Sequence, residues 1–263
     1  MCISGTVGRG GRNAHGDVKT VQILFNLSPN ATELATPLAE DGIVGAGTLG
    51  AIENLQRRVM GMANPSVCID PKSATLLRLQ ALLGEGFSSM KLKGILIDAA
   101  EPNINKYADA MAAKMDDRQI TTPLRQAHFL AQVGHETGEL RYAEEIASGA
   151  AYEGRRDLGN TEPGDGVRFK GRGLIQLTGR ANYLKYGQAL GKDLVTDEHW
   201  KQVAEDPKLA VDVACWYWDM HQLNQYADRD DLVNITKRIN GGLNGLDGRK
   251  ALLTRGKFFL VGM

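Results

Sequence analysis

Residues 135–145 read HETGELRYAEE and set four glutamates and one histidine at the end of an apolar run. Three readings compete: a solvated helix surface, a metal site, and the acid and base of a hydrolase. Charges near a helix end are ordinarily solvated. A zinc-protease helix needs His-Glu-x-x-His, but the fifth position here is Glu139 and His128 lies seven residues upstream of His135. A hydrolase needs two carboxyl groups facing each other across a cleft, one to protonate the leaving oxygen and one to act on water or sugar. On an ideal helix Glu139 sits about one turn from Glu136 and points beside it. Glu145 is nine residues on, which at about 100° per residue places it on the opposite side of a continuous helix. A facing pair therefore requires the helix to stop between them. Thr137 and Gly138 supply a stop, because glycine readily takes the positive φ that ends helices.

The 263 residues suffice for one large or two modest domains, and 43% hydrophobic with 24% charged residues is an ordinary globular composition. Lys plus Arg and Asp plus Glu each total 31, so no global field favours nucleic acid or an anionic membrane. The opening MCISGTVGRGGRNAHGD lacks the apolar core of a secretory signal, and no apolar run approaches the ~20 residues of a membrane span. Synthesis in the cytoplasm and no stable membrane insertion are expected. Cys2, Cys68 and Cys215 are odd in number and far apart, which favours plain thiols over a disulfide framework or zinc cluster.

Helical periodicity marks residues 16–27, a turn at Gly42, Gly45 and Gly47 leading to a helix capped by Thr48, and a third helix over 71–83 that starts at a proline. The glycines and arginines of residues 8–12 read as a mobile leader. Residues 84–89, GEGFSS, form the candidate linker. Helical patterns resume at 104–115, 124–133, 208–218 and 231–239, whereas 147–178 is rich in Gly, Arg and Asp and reads as a binding surface. Ser88 and Lys91 formally satisfy Ser-x-x-Lys, but no Lys-Thr-Gly partner follows. Trp216 and Trp218 read as helix core, and Trp200 as a residue able to stack on sugar.

HETGELRYAEE, the segment YEGRRDLGNTEPGDGVRFKGRGLIQLTGRANY at 152–183, and INGGLNG at 239–245 together resemble the three successive signatures of the family 19 glycoside hydrolases, which include plant-type chitinases and many bacteriophage endolysins. The resemblance implies a mainly α fold, with a lysozyme-like, two-lobed α-helical catalytic domain over 91–263. It implies Glu136 as general acid and Glu145 as general base, with Glu144 as the alternative base. Thr178 would hold the attacking water, and Gln176, Asn182, Tyr183 and Asn240 would contact sugar. Arg141, Tyr152 and Arg155 fit the endolysin pattern, divided between cleft architecture and substrate contact. Inversion is implied, with carboxyl groups about 6.5–9.5 Å apart. Glu139 departs from the usual glycine: its carboxylate either raises the pKa of the acid or faces solvent. The acid itself is expected in an apolar or acidic setting.

The segment DGIVGAGTLGAIENLQ at 41–56 resembles the Asp-Gly-x-x-Gly-x-x-Thr signature of peptidoglycan-binding domains of cell-wall hydrolases. It implies a small three-helix module over 1–84, joined by a linker at 85–90, with Asp41, Gly42, Gly45 and Thr48 shaping its turn; the alternative is a helical cap. Together these features predict a monomeric endolysin that hydrolyses β-1,4 bonds of bacterial peptidoglycan, muramidase rather than glucosaminidase, without metal or organic cofactor. It would be made in the host cytoplasm and reach the periplasmic wall after membrane permeabilisation. The competing functions are a chitinase, a lytic transglycosylase and a non-catalytic wall-binding phage protein.

Overall fold

A computed structural model describes residues 2–30, 32–34 and 36–263. It is mainly helical and divides into two compact units: one runs to Ile97 and includes Leu253–Met263, and the other is Asp98–Leu252. Among the described residues no helix is long and apolar enough to cross a membrane.

In the first unit, α1 (His15–Leu27) buries Val18, Val21, Leu24 and Phe25, the stripe its periodicity predicts. A two-residue antiparallel ladder joins β1 (Val7–Gly8) to β2 (Cys68–Ile69), with Val7 opposite Ile69. Arg9 N donates to Val67 O at 2.8 Å and Gly8 N to Asn13 Oδ1 at 2.8 Å, so this segment is fastened in place and is not a mobile leader. Gly8 has φ +124°, and a Cβ there would run into Val67 O.

The second helix, α2 (Ala46–Asn54), passes into a π turn at Leu55–Val59. Its cap is Gly45, three residues before the expected cap Thr48. Thr48 is instead buried in the first turn, where Gln22 claims its hydroxyl. Gln22, itself 2% exposed, organises the whole turn. Its amide nitrogen donates to Asp41 Oδ1, Ile43 O and Thr48 Oγ1, and its oxygen accepts from Gly42 N. Asp41, Gly42, Gly45 and Thr48 are thus turn architecture, leaving Ile43 exposed at the tip.

A cap also relocates the third helix: α3 (Ala74–Ala81) starts after Ser73, whose hydroxyl accepts from Leu76 N at 3.3 Å, and not at Pro71. The expected linker is part of the unit as well. Ser88 caps α4 (Ser89–Ile95), and the buried Lys91 donates through Nζ to the carbonyls of Gly84 and Gly86. Both residues of the Ser-x-x-Lys pattern are consumed by structure. The division of the chain accordingly falls after Ile97, beyond 84–90. Arg255, from the C-terminal portion, donates to Cys2 O at 2.8 Å, Ile95 O at 3.1 Å and Thr20 Oγ1 at 2.9 Å. A second turn of π geometry, Lys257–Val261, sets Phe259 against Gly94.

The second unit contains α5 (Glu101–Asp117), α6 (Pro123–Glu136), α7 (Asp165–Arg168), α8 (Arg180–Leu190), α9 (Gln202–Glu205), α10 (Pro207–Met220), α11 (Asn224–Ala227) and α12 (Leu232–Asn240), and it ends within α13 (Leu246–Gly256). Helix α6 starts at a Thr122 cap with Pro123 in its first turn and is buried on nearly every side from Ala127 to Gly134. Helix α10 packs along α5. Trp216 joins Phe169, Tyr183, Tyr186 and Val213 in the core, and Trp218 meets Phe129 edge-on at 5.5 Å, so both are core residues as read.

Residues 147–178 have little regular structure but are cross-braced. Buried Asp165 accepts from Thr161 N, Glu162 N and both Nε and Nη2 of Arg180. Glu153 accepts from Gly164 N and Gly166 N, and buried Asn160 ties Tyr152 O to Arg180 N. Side-chain carboxylates and an amide thus replace the ladders that a helix or sheet would provide.

Gln22→Ala deletes all four hydrogen bonds of the turn hub and strands buried partners. Stability should fall by about 1–3 kcal/mol, read as a lower midpoint in urea followed by circular dichroism; an unchanged midpoint would show that the turn holds without it.

Candidate active site

Helix α6 delivers Glu136 as its last residue. Beyond it the chain makes the expected stop in an extreme form: Gly138, Glu139 and Leu140 have φ of 57°, 58° and 65°, three left-handed residues in succession. Only the first is glycine, and Leu140 is buried, so the strain must be compensated by contacts. Thr137 supplies them: its hydroxyl donates to Val133 O at 2.7 Å and accepts from Leu140 N at 2.8 Å, and its carbonyl accepts from Tyr142 N. Glu139 accepts from Asp98 N at 2.9 Å and so ties down the chain entering α5.

The setting of Glu136 is neither apolar nor acidic. Arg249, from α13 and 1% exposed, donates through Nη2 to Glu136 Oε1 and through Nη1 to Gln132 Oε1. Gln132 lies one turn before Glu136 on the same face. His135 lies between this pair and the loop before α13: a Cβ on Gly245, which has φ +72°, would fall inside the imidazole, and one on Gly248 would press on it. Burial pushes the His135 pKa down from 6.5, Arg249 pushes it the same way, and Glu136 opposes them. Tyr217 is raised by burial and then by the charge of Glu136, and its hydroxyl donates to Arg238 O at 2.9 Å.

The two adjacent glutamates at 144 and 145 are held differently. Glu144 is clamped by Arg172 Nε at 3.1 Å and Nη2 at 2.9 Å, with Lys170 Nζ at 3.3 Å. Glu145 accepts from two neutral donors, Tyr152 Oη at 3.0 Å and Gly171 N at 3.1 Å. Its backbone N also donates to Gly171 O, so the side chain and the main chain are both fixed to one residue. Burial and the neighbouring carboxylate raise the Tyr152 pKa, which keeps the phenol a donor. A Cβ on Gly171 would sit 2.7 Å from Gln176 Oε1 and 3.3 Å from Glu145 Oε2. Gln176 and Glu145 are therefore neighbours over a glycine that leaves them room.

Other sequence-derived candidates separate into surface and support. Gln176, at φ 57°, has its carbonyl bound by the Thr178 hydroxyl at 2.9 Å, and Asn182 Nδ2 donates to Thr178 O at 2.7 Å. Exposed Asn182 and half-buried Thr178 and Gln176 line up along one turn. Tyr183, expected to touch sugar, is fully buried against Phe169, and its hydroxyl donates to Lys170 O and accepts from Arg172. It supports the segment carrying Gly171. Asn240 folds the INGGLNG loop, accepting from Gly242 N and donating to Asn244 O. Arg155 is exposed and locked bidentately to Asp157 at 2.8 and 2.5 Å, and exposed Arg141 lies near the Tyr142 ring. Among the described residues no group of three or more His, Cys, Asp and Glu side chains could hold a metal.

Sequence reasoning missed Arg249, Gln132 and Tyr217. Gln132 carried a signal, a polar residue four before Glu136 within an apolar helix. Arg249 carried none, because α13 lacks a strong apolar stripe.

The sequence matches the family profile chitinase class I over residues 108–238. A glycosyl hydrolase family 19 domain-containing protein of Haemophilus influenzae is 32% identical over 171 residues, spanning 53% of this chain and 82% of that protein. The chain belongs to glycoside hydrolase family 19. An Arabidopsis thaliana endochitinase is 35% identical over 134 residues, and the match spans about half the length of each, 51% of this chain and 45% of the plant enzyme. The crystal structure of chitinase C from Streptomyces griseus superposes with a TM-score of 0.56 at 22% identity, covering 66% of this chain and 92% of that one, and shows the shared fold. The chain is thus a glycoside hydrolase with the helical architecture of its family. The matched span contains Glu136, Glu145, Thr178 and Gln176, whereas Arg249 lies beyond its end.

Two measurements probe this family 19 site. Tyr152→Phe keeps the ring and removes one donor from Glu145; kcat on a soluble β-1,4 glycan should drop about tenfold or more with little change in KM, the loss of one hydrogen bond to a charged group. An unchanged kcat would remove Tyr152 from the machinery. Because the folded pKa of His135 lies below its unfolded value, the unfolded chain takes up the proton first as pH falls, and stability drops below about pH 6.5. Thermal melts across that range should show a shallower decline for His135→Gln than for wild type.

Proposed function

We propose that this family 19 hydrolase cleaves β-1,4 bonds of bacterial peptidoglycan, as a muramidase of bacteriophage endolysin type, with Glu136 as general acid and Glu145 as general base. The observation that carries the mechanism is the division between the adjacent glutamates. Glu144 is neutralised by Arg172 and Lys170. The Glu145 carboxylate accepts from two neutral donors, which orient it and leave its negative charge available to a water proton. Glu136 must first take up a proton from solvent; it then protonates the glycosidic oxygen, and Arg249 stabilises the carboxylate restored as the bond breaks. Thr178, with its hydroxyl turned toward Gln176 O, keeps its lone pairs for the attacking water. Attack from the face opposite the leaving group inverts the anomeric centre.

The substrate assignment rests on the N-terminal unit, where the turn at 41–48 has the Asp-Gly-x-x-Gly-x-x-Thr pattern of wall-binding modules and is built as a rigid knob around Gln22. A module of that kind retains the enzyme on the wall after the membrane barrier falls. Chitin hydrolysis is the second reading, favoured by the endochitinases among the relatives.

Purified peptidoglycan is digested with wild type and with Glu136→Gln, reduced with borohydride and analysed by mass spectrometry. Reduced muramic acid ends from wild type alone are expected, with the variant slowed about 100-fold or more, as for loss of a general acid. Reduced glucosamine ends would make the enzyme a glucosaminidase, anhydro ends would overturn the two-carboxylate mechanism, and intact peptidoglycan beside cleaved chitin oligomers would establish the chitinase.

A further inference from the structure

The second unit carries an open pocket of about 660 Å³ that neither Glu136 nor Glu145 lines. Its walls combine three kinds of group: aliphatic Val167 and Val195, the half-buried ring of Trp200, and charged side chains led by Arg168. Most of those charges are already spent. Arg180 is held bidentately by Asp165, Arg172 by Glu144, and Lys201 by Glu198 at 2.6 Å.

Arg168 is different. The acid beside it is Asp165, 3.9 Å away, whose oxygens already accept four hydrogen bonds from Thr161, Glu162 and Arg180. The Arg168 guanidinium, 45% exposed, therefore keeps its donors for another acceptor. Asp197 supplies the opposite charge. It and Glu198 adopt left-handed backbone angles of 49° and 63°, and Asp193 pins the loop by accepting from Val195 N and Thr196 N. Two non-glycine residues held in that conformation mark a loop shaped by its surroundings.

We infer that this pocket binds a short zwitterionic peptide, its carboxylate on Arg168, its amine on Asp197 and its aliphatic body against Trp200, as a peptide stem of peptidoglycan would present them. The assignment rests on the peptidoglycan reading above. A neutral acetamido sugar has no group for either charge, so the pocket distinguishes a peptide-bearing glycan from chitin. It also connects to the site. Arg168 O accepts from Arg172 Nη1 at 2.5 Å, and the residues between them include Lys170 and Gly171, which hold Glu145. A stem seated here is bound by the segment that positions the base.

Trp216 and Trp218 are 6% and 1% exposed, so a ligand-induced change in tryptophan emission reports Trp200. The titration uses full-length Glu136→Gln, which turns ligand over about 100-fold more slowly, with a purified disaccharide-tripeptide ending in a diamino acid, and with N-acetylglucosamine tetramer as the neutral probe. A saturable change with the muropeptide alone is expected, its Kd weakened about tenfold or more by Arg168→Gln and likewise by Asp197→Asn, each removing one charge-assisted hydrogen bond. Both side chains are exposed, and unchanged melting curves establish that the variants fold. No saturable change, an equal response to the neutral tetramer, or a Kd indifferent to both substitutions would overturn the inference. Reduced muramic acid ends in the digestion together with no emission change would sink the pocket alone. Charge-dependent binding together with intact peptidoglycan would leave the pocket standing and sink the substrate reading.

Discussion

Arg249 is 1% exposed, and a guanidinium buried so deeply is tolerated only when its charge is met. Glu136 meets the charge and Gln132 takes a second donor, so a cation from α13 fixes two side chains one turn apart on α6. The surrounding geometry is consistent with that demand. Helix α6 ends at Glu136. The left-handed run at 138–140 ends it, and Thr137 holds the run from both sides. The glycines at 245 and 248 let the start of α13 approach the His135 ring closely enough for Arg249 to reach inward. Removing the arginine would leave a half-buried carboxylate without its cation and the Gln132 oxygen unpaired, a larger loss than the ion pair itself contributes.

Glu145 is secured by another principle. Glu145 is not paired with a cation; it is hydrogen-bonded to a phenol and a backbone amide, while its neighbour Glu144 absorbs the local positive charge of Lys170 and Arg172. Tyr183 and Phe169 lie beneath the same segment as a rigid support. The irregular stretch from 147 to 178 can therefore carry chemistry without regular secondary structure, because buried Asp165 and Asn160 bind its backbone and anchor it to the start of α8.

Much of this was legible in the sequence. The long helices followed from apolar periodicity, and the stop after Glu136 followed from spacing and one glycine. What was not legible involved side chains acting at a distance. Thr48 looked like a cap because its type and position suit one, but Gln22 draws it inside and Gly45 caps in its place. Tyr183 lies in a motif associated with sugar contact, yet the phase of α8 turns it into the core. Arg249 was invisible because nothing local reveals that a basic residue on a weakly amphipathic helix will be buried against a residue 113 positions earlier. The linker reading failed for a related reason: Gly84 and Gly86 are a flexible composition, but Lys91 captures their carbonyls.

The first compact unit is discontinuous in sequence. Arg255 reaches Cys2 O, Thr20 Oγ1 and Ile95 O, and Phe259 rests on Gly94. On the ribosome, where domains ordinarily fold as they emerge, residues up to Ile97 appear without these partners and wait until all of Asp98–Leu252 has been made. The unit written first is therefore finished last. Premature termination anywhere in the second unit would yield a first unit lacking its closing strap, and so tie the integrity of the N-terminal module to completion of the enzyme that follows it.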